Sequence, residues 1–162
     1  MEITIFKDIK DTAQPFYRDV SKILERIQEG ASKDIVRSIR EEKDKEIRNK
    51  LKQSLPAVCF SGKFSKRNDS SLLEHSGLIC LDFDNFPTEK LLLEQKEFLT
   101  KDKYTYSVFI SPSGLGLKAL VKIPAEADTH KQFFNSLQLH YDSEYFDISC
   151  KNVSRVCYES MD

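Results

Sequence analysis

Apolar positions at Phe16, Val20, Ile23, Leu24 and Ile27 follow Asp11 and Thr12 and precede Gly30. That spacing predicts a helix closed by a glycine. Ser32 is placed to cap a second helix carrying Ile35, Val36, Ile39, Ile47 and Leu51, and Pro56 ends it. Residues 1–56 are therefore expected to form a helical extension. Beyond it the pattern changes. Residues 57–60 read as a short strand, and 61–71 is a polar loop. Residues 77–83, Gly-Leu-Ile-Cys-Leu-Asp-Phe, form an apolar run of the kind found in central strands. Pro87 and Thr88 open a helix with Leu91, Leu92, Leu93, Phe98 and Leu99. Aromatic and β-branched residues at 104–110 predict a strand. A turn at Ser-Pro-Ser-Gly leads to another strand at about 116–123, stopped by Pro124. Asp128 and Thr129 then cap a helix with Phe133, Phe134, Leu137 and Tyr141, and a last strand pair is expected near Tyr145–Asp147 and Arg155–Tyr158.

Residues 57–162 thus read as strand, helix, strand, strand, helix, strand. This predicts an α+β core of the ferredoxin-like or RRM-like type, a split βαβ sheet (βαββαβ) with two helices on one face. The chain is 40% apolar and 31% charged, enough for one sizeable core. Its formal net charge of −1 excludes a protein that coats nucleic acid through bulk positive charge. Any nucleic-acid contact has to be local, through a basic strip or a metal ion in an acidic pocket. Cys59, Cys80, Cys150 and Cys157 contain no CxxC pair and are expected as buried reduced thiols. His75, His130 and His140 lack the spacing of zinc ligands. There is no secretory leader and no run near the roughly 20 apolar residues that span a bilayer, so a cytoplasmic location is expected.

Three segments carry candidate chemistry. In Leu81-Asp82-Phe83-Asp84-Asn85, side chains two apart share a strand face, so Asp82 and Asp84 point together while Leu81 and Phe83 face the helices. Paired carboxylates at a strand end favour a hard divalent cation, Mg2+ or Mn2+. The plainer alternative is a turn start and a local cap. In Ser111-Pro112-Ser113-Gly114-Leu115-Gly116-Leu117-Lys118 the glycines allow close approach of a phosphate to backbone N–H groups, and Lys118 falls on the strand leaving the turn. The alternative is an ordinary hairpin turn. In the third segment Asp147 is placed to complete a carboxylate site and Arg155 to contact phosphate or pair with a carboxylate; singly, each also suits a structural role. Two further surfaces are candidates for a nucleic-acid backbone: Lys63, Lys66 and Arg67 in the polar loop, and the stretch from Arg37 to Lys52. The plainer and favoured reading of both is solvated charge, the second as a helix face with i,i+4 ion pairs.

Taken in order, the Asp-x-Asp strand, the Ser-Gly-rich turn and the later Asp resemble the archaeo-eukaryotic primase superfamily, the primase–polymerase group. More closely, residues 55–64, 75–84, 111–118 and 152–160 resemble the VirE N-terminal-like domains of bacterial mobile-element proteins. The resemblance covers most of the chain and is least specific in the N-terminal extension. It implies metal-dependent nucleotidyl transfer from nucleoside triphosphates on a nucleic-acid template, at a suspected two-metal Mg2+ or Mn2+ site. Asp82, Asp84 and Asp147 would bind metal. Ser111, Ser113, Gly114, Gly116, Lys118 and Arg155 would bind the nucleotide. It also implies a longer parent protein with a helicase-type module. The family's usual His is Lys118 here, which keeps phosphate binding but alters any proton-transfer role. Competing expectations are a non-catalytic nucleic-acid-binding module that stacks bases on Tyr104, Tyr106 and Tyr158, and a structural module of a larger protein. A phosphatase of the Asp-x-Asp haloacid-dehalogenase type is disfavoured by Phe86, where a small or polar residue is needed.

Overall fold

A computed structural model describes residues 1–162. Residues 1–56, expected as a helical extension, open instead with two antiparallel strands, β1 (Glu2–Phe6) and β2 (Phe16–Asp19). Asp11 does not cap a helix. Its side chain accepts from the N–H groups of Ala13 and Gln14, closing a local turn before β2. The helix starts later, as α1 (Val20–Glu29), because the Asp19 side chain accepts from Ser21 N–H. Gly30, at φ 69°, ends it in the left-handed cap expected of glycine. Phe16, counted in the helical stripe, lies on β2 and is exposed.

The second predicted helix is two. Helix α2 (Lys33–Glu41) stops at an extended Glu42, and α3 (Lys45–Lys52) restarts where the Asp44 carboxylate accepts from Glu46 and Ile47 N–H. An aspartate that can satisfy two orphan backbone donors competes with continued helix, and here it wins. The expected loop at 61–71 contains β4 (Gly62–Phe64), which pairs with β5 (Leu72–His75) as a ribbon; β3 (Ala57–Cys59) precedes it.

The second half follows the predicted order closely: β6 (Leu78–Phe83), α4 (Glu89–Lys101), β7 (Thr105–Ile110), β8 (Leu117–Lys122) and α5 (His130–Tyr141). These strands form a three-stranded antiparallel sheet in the order β6-β8-β7. The expected final strand pair does not form as such. Residues 145–147 make only an isolated antiparallel bridge, Phe83 to Phe146. The last strand, β9 (Cys157–Tyr158), joins β3 in a separate sheet ordered β2-β1-β3-β9.

The β6-β8-β7 sheet is covered on both faces. Ile79, Leu81 and Phe83 pack with Leu117, Ala119 and Val121 under Leu92 and Leu99 of α4 and Phe134, Leu137 and Tyr141 of α5. On the opposite face Leu78, Cys80, Phe109 and Leu120 pack against Ile3, Val20, Ile23, Ile27, Val58 and Phe60. The carboxylate-bearing face is therefore not an open surface, as the sequence suggested. The N-terminal region roofs it, because α1 presents an apolar stripe that has nowhere else to be buried. The molecule is an α+β protein, and no helix is long and apolar enough to cross a membrane.

Candidate functional site

The site forms where this roof gives way, at the Phe83 end of β6. Antiparallel pairing puts Asp82 directly opposite Lys118 on β8. The Lys118 ammonium meets Asp82 Oδ2 at 2.6 Å, and both side chains are nearly closed to solvent. Burial alone would favour the neutral amine, but the Asp82 charge overrides it and holds the Lys118 pKa well above the ordinary lysine value. The Arg155 guanidinium approaches the same oxygen at 3.6 Å.

Asp147 reaches the cluster through main-chain bonds. Its N–H donates to the Asp82 carbonyl at 2.9 Å, and Asp84 N–H donates to the Tyr145 carbonyl at 2.8 Å. These bonds clamp residues 145–147 alongside the end of β6. The Cys150 thiol lies between the two acids, 3.3 Å from Asp82 Oδ2 and 3.0 Å from Asp147 Oδ2. Burial, the Asp82 charge and its bond to Asp147 push the Cys150 pKa far up, so the thiol stays protonated and donates. Asp147 is partly buried, which works against its charge. The Cys150 thiol, Ser149 and Arg155 outweigh that and hold its carboxyl below the usual range.

One oxygen from each of Asp82 and Asp147, with Cys150 Sγ, lie within 4.8 Å of one another. Asp84 is not in that trio; Cys150, expected only as a core thiol, takes the third place. Asp84 is half-buried at the strand end, and burial raises its pKa, with Lys118 and Lys52 opposing and Asp82 and Asp147 reinforcing. Two carboxylates suit a hard divalent cation, which is commonly held by one or two carboxylates with water completing the shell. A protonated thiol adds little for such an ion, so the trio offers a cation only Asp82 and Asp147, and Asp82 Oδ2 is already paired with the Lys118 ammonium at 2.6 Å.

The Ser111–Lys118 turn stands beside this cluster. Ser111 and Ser113 hydroxyls are bonded to each other at 3.1 Å, and Gly114 adopts φ 73° against the Arg40 side chain. Gly116 is required by contact: a Cβ there would overlap Asp84 Oδ1 and the Phe83 carbonyl. Lys63, Lys66 and Arg67 are elsewhere, on or next to the β4 strand, where Lys63 pairs with Glu2 at 2.9 Å. They form no bond with the carboxylates. Tyr106 and Tyr158 are half-buried and Tyr104 is exposed, the last with Lys103 over its ring.

The Arg37–Lys52 stretch was a candidate basic surface in the sequence; what sequence reasoning missed is the cleft of about 600 Å³ that its end forms with the site, lined by Lys45, Arg48, Asn49, Lys52, Asp84, Asn85, Phe86, Ser113 and Leu115. The signal was the i, i+3, i+7 spacing of Lys45, Arg48 and Lys52, hidden in a stretch dense in both charges.

A family model, described as the BT4734-like N-terminal domain, matches residues 50–162. The chain belongs to the BT4734-like N-terminal domain family. The matched residues contain Asp82, Asp84, Lys118, Asp147, Cys150 and Arg155, whereas α1, α2 and most of α3 precede them. No curated protein and no solved structure matches the chain.

Proposed function

We propose that this BT4734-like domain is a metal-dependent nucleotidyltransferase of the primase–polymerase kind, acting on nucleoside triphosphates and nucleic acid. The observation that carries the reading is the convergence of Asp82, Lys118, Asp147 and Arg155, from three separate segments, on one small cluster beside a glycine turn. Strand order supports the matching architecture. An antiparallel β6-β8-β7 sheet with both helices over one face agrees with three strands of a ferredoxin-like βαββαβ core, the fourth being reduced to the single Phe83–Phe146 bridge at the free edge of β6.

In this reading Asp82 and Asp147 hold Mg2+ or Mn2+, which supplies charge neutralisation at the transferring phosphate. Lys118 fixes the Asp82 carboxylate in place. Arg155 keeps a buried Nε with no protein partner, a donor suited to a phosphate oxygen. Gly116 lets the turn lie against Asp84. The deciding assay is primer extension and de novo synthesis with Mn2+ or Mg2+, comparing wild type with Asp147→Asn. Product from wild type, and a loss of roughly a hundredfold or more in the variant, is expected. Equal activity in both, or none in either, sinks the reading.

The Asp82–Lys118 pair itself favours a second reading, a non-catalytic module of a larger mobile-element protein. A buried ammonium already balances one carboxylate without any metal. On that reading Mn2+ with a nucleoside triphosphate at millimolar level leaves the melting temperature unchanged, whereas a ligand that binds only the folded state raises it.

A further inference from the structure

Among the protein's lysines, Lys22, Lys63, Lys90, Lys96, Lys101 and Lys118 each pair with a carboxylate. Lys45, Arg48 and Lys52 pair with none, although they line a common cleft. Like charges at i,i+3 and i,i+4 on a helix repel one another, so this stripe is unfavourable for α3 by itself. Lys52 is half-buried, and burial, the main influence, pulls its pKa down, with Asp84 opposing and Lys118 and Arg48 reinforcing. Ser113, Asn85 and Asp84 line the same cleft.

We propose that this cleft is a polyphosphate subsite, in which Lys45, Arg48 and Lys52 of α3 grip the phosphate tail of a nucleotide in complex with a divalent cation. The inference rests on the nucleotidyltransferase reading for the identity of the nucleotide, and on the cleft alone for the polyphosphate. The cleft's geometry and its mixed charge favour this ligand over a nucleic-acid strand. From Lys45 to Lys52 the helix rises about 10 Å, so three positive charges fall within the length of one short chain. A triphosphate concentrates its charge in that way, whereas a strand spreads single charges along its backbone. Asp84 would repel a bare polyanion, but a divalent cation bridges a carboxylate to phosphate oxygens. Asp84, which follows β6 and stands apart from the Asp82–Asp147 pair, thus supplies the cleft's one carboxylate for the ligand's cation, and the phosphate-binding charges come from a helix that lies largely ahead of the family-matched segment.

The test is binding of inorganic tripolyphosphate to the full chain by calorimetry, with Mg2+ or Mn2+ present. Arg48→Ala and Lys52→Ala are each expected to weaken binding by about tenfold, the loss of one charge-assisted contact. Arg48→Lys is expected to recover most of it. Lys90→Ala, on the outside of α4, is the surface control and leaves binding unchanged. Thermal unfolding of each variant establishes that it folds; these side chains lie at the surface or half-buried, so little change is expected. Undetectable binding to wild type at millimolar ligand overturns the proposal. So does equal binding by wild type and the Lys45→Ala, Arg48→Ala, Lys52→Ala triple variant. A third overturning result is tripolyphosphate affinity unchanged by the α3 substitutions while that of a single-stranded oligonucleotide falls, which would make the stripe a strand contact. If tripolyphosphate binding depends on α3 but no nucleotide is ever polymerised, the subsite stands and the nucleotidyltransferase reading falls. Synthesis without α3-dependent binding has the opposite meaning.

Discussion

Asp82 and Lys118 neutralise each other where neither can be well hydrated, and this makes each side chain costly to remove alone. Asp82→Asn leaves an ammonium buried without a counter-charge, and Lys118→Met leaves a carboxylate whose remaining partners are Arg155 at 3.6 Å and the Cys150 thiol at 3.3 Å. Breaking one side of a buried pair typically costs about 3–5 kcal/mol, while replacing both by well-packed groups is far milder. Denaturant unfolding of the two single variants and the double variant should therefore give a double loss well below the sum of the singles. Additive losses would mean that the pair does not act as a unit. The glycine turn by itself pairs the Lys118 strand with β7, and its place beside the Asp82 strand was to be expected only from the ferredoxin-like topology. The part played by Cys150 was not legible in the sequence. A lone cysteine in an apolar run gives no sign that its thiol will donate to two acids, because that depends on main-chain bonds from Asp147 and Asp84 that no local pattern encodes.

Between elements, a buried contact joins the β5 end of the ribbon to the start of α5. His75 Nε2 and His130 Nδ1 are 3.0 Å apart, and Gly77 N–H donates to His75 Nδ1. The proton on His75 must then sit on Nε2 and be donated to His130, which requires a neutral His130. Burial, chiefly, and the neighbouring His75 pull the His130 pKa down to about 4, with Asp69 opposing and Lys131 reinforcing. Burial also lowers that of His75. Between pH 4 and 6.5 the unfolded chain therefore binds more protons than the folded one, and stability falls as pH drops through that window. A shift of this size is worth on the order of 3 kcal/mol for His130. His130→Gln should flatten the fall in melting temperature between pH 6.5 and 4.5 relative to wild type; parallel curves would assign the acid sensitivity to other groups. Sequence periodicity found β6, α4, β7, β8 and α5, whose apolar positions repeat cleanly, and failed at α3. There Glu42 and Lys43 continue a polar pattern that hides the break made by the Asp44 cap. It failed also at β4, whose glycine and lysine look like loop residues although Phe64 is fully buried.

For the molecule as a whole, the consequential packing is between the N-terminal region and the sheet that carries the carboxylates. Ile3, Val20, Ile23 and Ile27 share one apolar cluster with Leu78, Cys80, Phe109 and Leu120. The family match begins at residue 50, which would suggest that residues 50–162 suffice for folding. The packing argues otherwise. Removing residues 1–49 uncovers one face of the β6-β8-β7 sheet, including several side chains each worth about 1.5–3 kcal/mol when buried, against a typical total stability of about 5–15 kcal/mol. It also strips β3 of its neighbour β1 and takes Arg26 and Ser32 from Glu159, a carboxylate only 1% exposed that they bond. A chain of residues 50–162 is therefore expected to lose cooperative unfolding and to expose apolar surface, read as dye binding and fast amide exchange at Leu78, Cys80 and Leu120. The full chain should melt in one transition, with amides of α1 and β6 protected to the same degree, because neither can open without exposing the other's apolar face. A fragment that melts cooperatively within a few degrees of the full chain would separate the two parts and make α1 a dispensable cover rather than half of the core.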